Sequence, residues 1–399
     1  MSASVIVAGA RTPIGRLGGA LSPLTAVELG SHAIAAAVQR AGVAANDVDS
    51  VIMGTVVQAG VGPNPARQSA VAAGLPMTVP ATTVNNLCLS GLQAIISADH
   101  LIRSGDADVV VAGGMESMSN APYLARGARK GYRYGPHPLE DALDRDALTC
   151  AFDQTSMGAA TERYQAAESF TRVELDAFAA QSHRRAAAAT ANSTFATEIV
   201  PVEISSRRGN STITADEGIR PDTTPESLAR LSPAFAADGI TTAGSSSQLS
   251  DGACALVIMR KELAQARNIE WLAEIRSHAL VAGPDTSLLH QPSNAIVEAI
   301  RRSKTITLTD LDLFEVNEAF ASVAITSMRD LGITDELVNV NGGAIALGHP
   351  VGMSGARVTL TLMHALRHRG GGLGAAALCG GGGQGIAIIL ESPRRAAPN

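Results

Sequence analysis

Short apolar runs alternate with amphipathic segments of helical period in the first third of the chain. The run SVIVAGA (4–10) predicts a strand, and the segment 25–42 predicts a helix that ends at Gly42. Thr25 and Glu28 have the spacing of a capping box at the start of that helix. The same patterns predict further strands over 47–57, 81–85 and 106–114, and helices over 65–74 and 90–105. Such alternation is typical of a parallel sheet covered by helices on both faces, so we predict an α/β fold.

The last third of the chain repeats this order. It predicts strands over 271–283, 310–317, 337–343 and 372–381, and helices over 293–304, 318–332 and 353–370. Two short echoes support a duplication: NDVDSVIMG (46–54) resembles TDLDLFEVN (309–317), and TVNN (83–86) resembles NVNG (339–342). A repeat of about a hundred residues indicates two similar domains rather than a solenoid.

The middle of the chain has a different composition. Residues 120–250 are richer in charge, Ser, Thr and Arg, and their hydrophobic periodicity is weaker. We predict an inserted loop domain there, after which DGACALVIM (251–259) returns as a strand to complete the first sheet. The predicted division is an N-terminal half over 1–119 that is completed by 251–270, the loop domain over 120–250, and a C-terminal half over 271–399.

Composition and charge exclude several functional classes. The 399 residues are 46% hydrophobic and carry a net charge of -6, which argues against a nucleic-acid or membrane-surface binder. There is no charged leader, no apolar stretch of membrane-spanning length and no peroxisomal signal, so we expect a cytoplasmic protein. The four cysteines are far apart and lack metal-ligand spacing, so neither a metal site nor a disulfide scaffold is indicated.

Three residues stand where reactive side chains occur in α/β folds. Cys88 lies between a predicted strand and a predicted helix, where free N–H groups and the helix dipole favour a thiolate. Cys379 ends a predicted strand and is followed by four glycines, and His349 lies in a rigid loop between Gly348 and Pro350. The alternatives are buried cysteines that only fill space and a structural histidine.

Two other patterns are weaker. Gly380, Gly382 and Gly385 match a dinucleotide-binding motif, but too few residues follow for the βαβ unit that this motif needs. We interpret the glycines instead as a loop that exposes N–H groups to an oxyanion. His364 and His368 have a metal-ligand spacing without a third ligand nearby, and a basic helix end is the preferred interpretation.

Together the cysteines, the histidine and the glycine loops indicate acyl transfer. One thiol would take the acyl group, a histidine would activate that thiol, and backbone N–H groups would hold the oxyanion. If the acceptor must become a carbanion, the second thiol could remove the proton from its α-carbon.

Seven motifs are spread along essentially the whole length of the chain: ARTPIG, NNLCLSGLQAI, GGMESMS, TAGSSSQLSDGA, NEAF, NGGAIALGHPVGMSG and CGGGGQG. In their order and spacing the chain resembles the thiolase family. The chain is most similar to bacterial acetyl-CoA acetyltransferases, which join two acetyl-CoA molecules to acetoacetyl-CoA and CoA, or run the reverse thiolysis. The resemblance implies a duplicated five-layered α-β-α-β-α fold with an inserted loop domain, and a homodimer or homotetramer. It implies no metal or redox cofactor, because CoA is both substrate and product.

The resemblance also implies a role for each matching position. Cys88 matches the acylated nucleophile, His349 the residue that activates it, and Cys379 the acid and base that serves the second acetyl-CoA and the leaving CoA. Asn317 matches an asparagine that holds a water in a first oxyanion hole, and the N–H groups of Cys88 and Gly381 match a second hole. The residues that would contact the acyl-CoA substrate are Leu148, Met157, Arg220, Ser227 and Ser247.

Three positions depart from the pattern of many thiolases and leave the acyl chain length open. Leu89 stands where a small residue is usual, Ser156 where many acetoacetyl-CoA thiolases have a histidine, and Ser232 where a basic residue is common. The resemblance implies an acetyl-CoA C-acetyltransferase that works by a ping-pong mechanism through an acyl-cysteine. The alternatives are a degradative 3-ketoacyl-CoA thiolase of broader chain length and a non-catalytic CoA-binding protein. No role is assigned to Cys150 or Cys254.

Overall fold

Strands and helices alternate in both halves of the chain. The computed structural model describes residues 2–206 and 209–394. Within these ranges the strands are β1 Ser4–Arg11, β2 Gly15–Arg16, β3 Ser50–Gly54, β4 Ala81–Val84, β5 Val109–Ser117, β6 Tyr123–Leu124, β7 Glu140–Asp141, β8 Val202–Ser206, β9 Gly209–Ile213, β10 Ser250–Arg260, β11 Ala273–Ala282, β12 Leu311–Val316, β13 Gly372–Gly380 and β14 Gln384–Ser392. The α-helices are α1 Ala26–Ala41, α2 Pro65–Ala72, α3 Ser90–Ser104, α4 Met157–Gln165, α5 Arg172–Ala191, α6 Pro225–Leu228, α7 Lys261–Ala266, α8 Gln291–Ser303, α9 Ala321–Leu331, α10 Ala344–Leu347 and α11 Ser354–His368. The predicted α/β class is confirmed.

The first helix shows how local sequence sets the boundaries of an element. The Thr25 side chain accepts the N–H of Glu28, and the Glu28 carboxylate accepts the N–H of Thr25, so the predicted capping box is present. At the other end Gly42 has a φ of 64°, the left-handed conformation that ends a helix.

One ten-stranded sheet runs through both halves, in the order β12-β13-β14-β11-β1-β10-β5-β3-β4, with β2 paired to β10. The halves meet where β1 pairs with β11, through Val5 with Glu274 and Ile6 with Ala273. Outward from this seam the first half is β1-β10-β5-β3-β4 and the second half is β11-β14-β13-β12. The first four strands of each series correspond in order, as expected from the echoes in the sequence, and β4 has no counterpart among the described strands of the second half.

The expectation of a parallel sheet is wrong. β3 is parallel to β4 and β5, but β10 is antiparallel to both β1 and β5. β14, which the sequence analysis did not predict, is antiparallel to β11 and β13. The turn at residues 381–383 explains why β14 is antiparallel to β13. A turn this short can join antiparallel strands but cannot provide the crossover that parallel strands need.

The strand predicted over 337–343 is reduced to a single bridge between Phe314 and Val338. Asn339 ends the pairing. Its φ is 47°, and its side chain accepts the N–H of Val316 and donates to the carbonyl of Val316, both at 2.8 Å. An amide side chain therefore takes over the backbone hydrogen bonds at the position that corresponds to β4 in the first half.

The segment 120–250 contains more helix than its weak periodicity predicted. The longest helix there, α5, has 20 residues and is capped by Thr171, whose side chain accepts the N–H of Glu174 at 3.2 Å. Half of its eight buried residues are alanine, which weakens the hydrophobic period that a sequence can show. DGACALVIM is confirmed as part of β10, between β1 and β5. The division of the chain at residues 119, 250 and 270 stays a prediction.

Helices α3 and α11 pack against each other in the centre of the molecule. A Cβ atom on Gly355 would lie 2.8 Å from Cβ of Leu92, and one on Gly91 would lie 2.9 Å from a carbonyl oxygen of the loop before α11. Only glycine permits so close a crossing. Because Cys88 precedes α3 and His349 precedes α11, the crossing brings their two loops together. No helix in the described ranges is both long and apolar enough to cross a membrane.

Candidate active site

Cys88 lies in the turn of residues 85–89, between β4 and α3. Ser90 holds this turn: its Oγ accepts the N–H of Asn86 at 2.8 Å and donates to the carbonyl of Leu87 at 2.6 Å. Leu87 has a φ of 51°, a left-handed conformation that costs a residue with a side chain about 1–2 kcal/mol. The surrounding contacts therefore hold the backbone before the thiol in a conformation that leucine does not favour.

The Cys88 thiol is half-buried, and two backbone N–H groups point at its sulfur. They belong to Cys88 itself and to Gly381, in the turn after β13. Both hydrogen bonds favour the thiolate, but burial outweighs them and raises the pKa of Cys88 to about 11. The helix start alone does not produce a thiolate, contrary to the sequence expectation, so the thiol needs a base.

His349 is a buried base in the loop that packs beside this turn. Its Nδ1 is 2.6 Å from Oγ of Ser354, and its Nε2 is 3.4 Å from Nδ2 of Asn317. Burial, with a smaller effect of the Arg357 charge, lowers the pKa of His349 to about 3. The imidazole is therefore neutral at pH 7 and has a lone pair that can accept a proton.

Asn317 follows the last residue of β12 and carries a free buried acceptor. Its N–H donates to the carbonyl of Ala377 at 2.9 Å, which ties the residue to the neighbouring strand. The side-chain Oδ1 is buried and has no hydrogen-bond partner in the described part of the chain. Because an unpaired buried acceptor is unfavourable, this oxygen is suited to hold a water or a substrate group beside His349.

Cys379 carries a second thiol, fully buried at the end of β13. Burial raises the pKa of Cys379, and the charge on Cys88 raises it further, so the two sulfur atoms are close enough to interact. A Cβ atom on Gly380 would lie 2.6 Å from Cγ of Leu89. The missing side chain lets the glycine turn pack directly against the turn of the first thiol.

A cavity of about 560 Å³ leads to His349. Its walls are largely apolar, and its polar groups are few, as in many pockets for small molecules. The apolar residues on its walls include Met118, Leu148, Met157, Phe235, Phe320 and Val351. Four of the five predicted acyl-CoA contacts, Leu148, Met157, Arg220 and Ser247, line this cavity.

Ser227, the fifth predicted contact, is not among the residues that line the cavity. Its hydroxyl accepts the N–H of Thr224 at 3.0 Å and donates to the carbonyl of Thr224 at 2.8 Å. The structure therefore uses this serine to cap the short helix α6, and a contact with CoA stays a prediction.

Arg220 brings positive charge to the cavity and is held by a histidine. Its backbone N–H donates to Nδ1 of the fully buried His183 at 3.2 Å. Burial, followed by the charge of Arg16, lowers the pKa of Arg220. Arg220 lines the cavity and is close enough to Arg16 for their charges to interact, and a guanidinium on the cavity wall suits an anionic ligand such as a phosphate.

The departures from the thiolase pattern lie in different environments. Leu89 is fully buried in the core and does not line the cavity, whereas Ser156 does line it and caps α4 by accepting the N–H of Ala159. Ser232 is exposed. The two cysteines without an assigned role, Cys150 and Cys254, are buried.

The sequence analysis missed three buried side chains that hold the site: Glu116, Glu318 and Ser354. Glu318 follows Asn317 and accepts the N–H of Ile345, in the segment that leads to His349, at 3.1 Å. The signal was present, since GGMES and NEAF each place a carboxylate next to apolar residues of a strand end. No group of three His, Cys, Asp or Glu side chains suited to a metal ion occurs in residues 2–206 and 209–394.

The arrangement combines a candidate nucleophile, a neutral base, a second thiol and oxyanion donors. His349 lines the cavity, and the two thiols pack in clusters with residues that line it. A thiol that loses its proton to an imidazole can attack a carbonyl carbon, and N–H groups at the same sulfur can hold the oxygen that becomes negative. The second thiol can exchange a proton with a group bound beside the first. These are the requirements of acyl transfer through a covalent intermediate.

Comparisons with known proteins find similarity to thiolases along nearly the whole chain. Residues 4–262 match the model of the thiolase N-terminal domain, and residues 269–392 match that of the thiolase C-terminal domain. The chain is 55% identical to a probable acetyl-CoA acetyltransferase of Mycobacterium leprae, over 98% of this chain and all of that one. It is 45% identical to the acetyl-CoA acetyltransferase of Escherichia coli, over 98% of this chain and 99% of that one.

Comparison with solved structures agrees with the sequence comparisons. The crystal structure of the Bacillus anthracis acetyl-CoA acetyltransferase superimposes with a TM-score of 0.96 at 40% identity, over 98% of this chain and 99% of that one. Sequence motifs, site geometry and fold agree, and the chain belongs to the thiolase family of acyltransferases.

Proposed function

We propose that the protein is an acetyl-CoA C-acetyltransferase that condenses two acetyl-CoA molecules to acetoacetyl-CoA and CoA, and catalyses the reverse thiolysis. The observation that carries the proposal is the packing of the glycine turn after Cys379 against the turn of Cys88: a Cβ atom on Gly380 would lie 2.6 Å from Cγ of Leu89, and the N–H of Gly381 forms a hydrogen bond with the Cys88 sulfur. A protein that only binds CoA needs neither the second thiol nor the neutral imidazole of His349. The names of the relatives support the choice of acetyl-CoA.

The first half of the reaction forms the acyl-enzyme. His349 takes the proton of Cys88, and the thiolate attacks the thioester carbon of acetyl-CoA while the N–H groups of Cys88 and Gly381 hold the oxyanion. The carbon–sulfur bond to CoA then breaks, and the leaving thiolate takes its proton from Cys379. This half ends with acetyl-Cys88, free CoA, a protonated His349 and a deprotonated Cys379.

The second half forms the carbon–carbon bond. The Cys379 thiolate removes a proton from the α-carbon of a second acetyl-CoA, and the enolate oxygen is held by protonated His349 and a water on Asn317. The α-carbon attacks the acetyl carbonyl on Cys88, and the bond between that carbon and the Cys88 sulfur breaks. His349 returns its proton to Cys88, so all groups regain their starting protonation states.

The wall next to the oxyanion donors favours a short acyl group. A Cβ atom on Gly381 would lie 2.6 Å from Cε of Met157 and 2.8 Å from Cδ1 of Leu87. These side chains leave little room beside the carbon that Cys88 would carry. A degradative 3-ketoacyl-CoA thiolase is the second candidate, because the small Ser156 on the cavity wall favours longer chains.

The proposal includes a cytoplasmic homodimer or homotetramer with acyl-CoA as its small-molecule partner and no further cofactor. β4 is an edge strand that pairs with β3 alone among the described strands, and an exposed edge is a ready site for pairing with a second copy. Tyr123, Tyr134 and Leu139, in and beside the β6–β7 hairpin, are exposed large apolar side chains, which also suits a subunit contact. Light scattering on the purified protein would test this, and a monomer would contradict it.

The test of the activity is CoA-dependent thiolysis of acetoacetyl-CoA and of a medium-chain 3-ketoacyl-CoA, with the native protein and Cys88→Ala. Activity confined to the four-carbon substrate and lost in the variant supports the proposal. Comparable medium-chain activity replaces it by the degradative thiolase. A folded native protein that cleaves neither substrate contradicts the mechanism.

A further inference from the structure

Ser354, the first residue of α11, lies five residues after His349 and is 1% exposed. Its hydroxyl is within hydrogen-bond distance of two groups: Nδ1 of His349 at 2.6 Å and the carbonyl of Pro350 at 3.1 Å. The hydroxyl is not used as a helix cap, since the N-cap position of α11 is Met353 and no side chain caps it. Its contact with the histidine therefore needs another explanation.

The two contacts together determine the positions of the hydrogens. A carbonyl oxygen can only accept, so the hydroxyl of Ser354 must donate its one hydrogen to Pro350 if both hydrogen bonds are to form. The hydroxyl oxygen then presents a lone pair to His349, and Nδ1 of the imidazole must carry the hydrogen. In the opposite arrangement the serine would donate to Nδ1, and its contact with the Pro350 carbonyl would not be a hydrogen bond.

A second contact agrees with this assignment. Nδ2 of Asn317, which can only donate, faces Nε2 of His349 at 3.4 Å. A neutral imidazole has one N–H and one lone pair, so a donor at Nε2 requires the lone pair there and the hydrogen on Nδ1. With the Asn317 amide in this orientation, the contact at Nε2 is consistent with the tautomer that the Ser354 geometry requires.

We propose that Ser354 is a positioning residue that fixes His349 in the tautomer with hydrogen on Nδ1, so that the lone pair of Nε2 can take the Cys88 proton. The inference rests on the proposed function and deepens it, because it names the residue that leaves Nε2 of His349 free to act as the base. When Nε2 becomes protonated, the hydrogen bond from Nδ1 to Ser354 continues to Pro350 and stabilises the imidazolium. Burial and Arg357 oppose that charge, so the contribution of the hydroxyl is needed.

The kinetic test compares Ser354→Ala with Ser354→Thr, which keeps the hydroxyl. In thiolysis of acetoacetyl-CoA we expect Ser354→Ala to lower kcat by about 10- to 100-fold with KM within about twofold, because proton transfer is affected and binding is not. Alkylation of Cys88 by iodoacetamide should slow by a similar factor, and Ser354→Thr should restore most of both rates. The matched control is Ser327→Ala, which removes a buried hydroxyl that donates to a helix carbonyl in α9 at 2.8 Å and should leave both rates unchanged.

A direct measurement of the tautomer separates this inference from the proposed function. Nitrogen NMR of protein labelled in its histidines, with the His349 signals assigned from His349→Asn, should show hydrogen on Nδ1 and none on Nε2 at pH 7. The native protein is sufficient for this measurement, so it decides the inference even if Ser354→Ala does not fold or the protein lacks thiolase activity. Hydrogen on Nε2 in the native protein, or unchanged kcat and alkylation in a folded Ser354→Ala, would overturn it.

Discussion

The carboxylate of Glu116 accepts the N–H of Gly352 at 3.0 Å, so a residue of β5 in the first half holds the loop that carries His349 in the second half. The same carboxylate accepts the N–H groups of Val56 and Val57 at 2.9 and 3.2 Å. Burial raises the pKa of Glu116 to about 7, and the N–H groups oppose that rise. This acceptor connects the two halves at the active site.

Replacement of Glu116 by glutamine should therefore destabilise the protein and impair catalysis. Both carboxylate oxygens accept hydrogen bonds, so an amide NH₂ would meet donors in either orientation. We expect a loss of about 1–3 kcal/mol in the free energy of unfolding, measured with urea, together with a lower kcat. Glu226→Gln on the surface is the control and should change the stability by less than about 0.5 kcal/mol. Equal stability of the two variants would show that Glu116 does not hold the loop.

Gly381 should tolerate alanine only if its neighbour is made smaller. The added Cβ would lie 2.6 Å from Cε of Met157, so Gly381→Ala should displace the N–H that points at Cys88 and lower kcat by about 10- to 1000-fold. The double variant with Met157→Ala should recover part of the loss, because it removes the closest contact and leaves the one with Cδ1 of Leu87 at 2.8 Å. A double variant no more active than Gly381→Ala would assign the loss to another contact.

Leu89 should matter for stability rather than for the choice of substrate. Its side chain is fully buried, packs under Gly380 and does not line the cavity. Leu89→Ala should cost about 2–5 kcal/mol in unfolding free energy, as is usual for a truncated core leucine. The ratio of kcat/KM for acetoacetyl-CoA to that for a medium-chain 3-ketoacyl-CoA should stay as in the native protein. A shift of this ratio by tenfold would place Leu89 among the specificity residues.

The buried neutral His349 should make stability depend on pH. The pKa of this group falls from 6.5 to about 3 on folding, so between these values the unfolded chain binds a proton that the folded protein does not. Stability is therefore highest above pH 6.5 and falls as the pH decreases, by up to about 1.4 kcal/mol per pH unit from this group. Urea unfolding at fixed protein concentration between pH 4.5 and 6.5 should give a shallower slope for His349→Asn. Parallel slopes would mean that the native histidine is protonated.

The sequence indicated candidate reactive residues more readily than the topology that positions them. Cys88 and Cys379 could be identified because each stands at the end of an apolar run beside a helix start or a glycine turn, which are local features. The direction of β10 and β14 depends on pairing between distant segments, and no local pattern reports it. Asn339 shows the same limit, since its amide replaces strand pairing in a segment whose sequence favours a strand.

The residues that support the site were harder to predict, because they meet their partners only after distant segments fold together. Ser354 is an ordinary helix residue until α11 places its hydroxyl against His349, and Glu116 is an unexplained buried acid until the loop of Gly352 reaches it. Four of the five proposed acyl-CoA contacts line the cavity, whereas Ser227 caps a helix outside it. Motifs therefore indicate candidate residues for the chemistry, and long-range packing determines which residues hold those candidates in place.

The most direct test of the two-thiol mechanism is the intact mass of Cys379→Ala after mixing with acetyl-CoA. Without the second thiol the carbanion cannot form, and the leaving CoA must take its proton from water instead of from Cys379. We therefore predict that this variant is acetylated more slowly than the native protein but accumulates one acetyl group per chain, located on Cys88 by peptide mapping, and releases no acetoacetyl-CoA. Cys88→Ala treated in the same way should stay unmodified. Acetylation of Cys88→Ala at another residue, or condensation by Cys379→Ala at the native rate, would contradict the assignment of the two thiols.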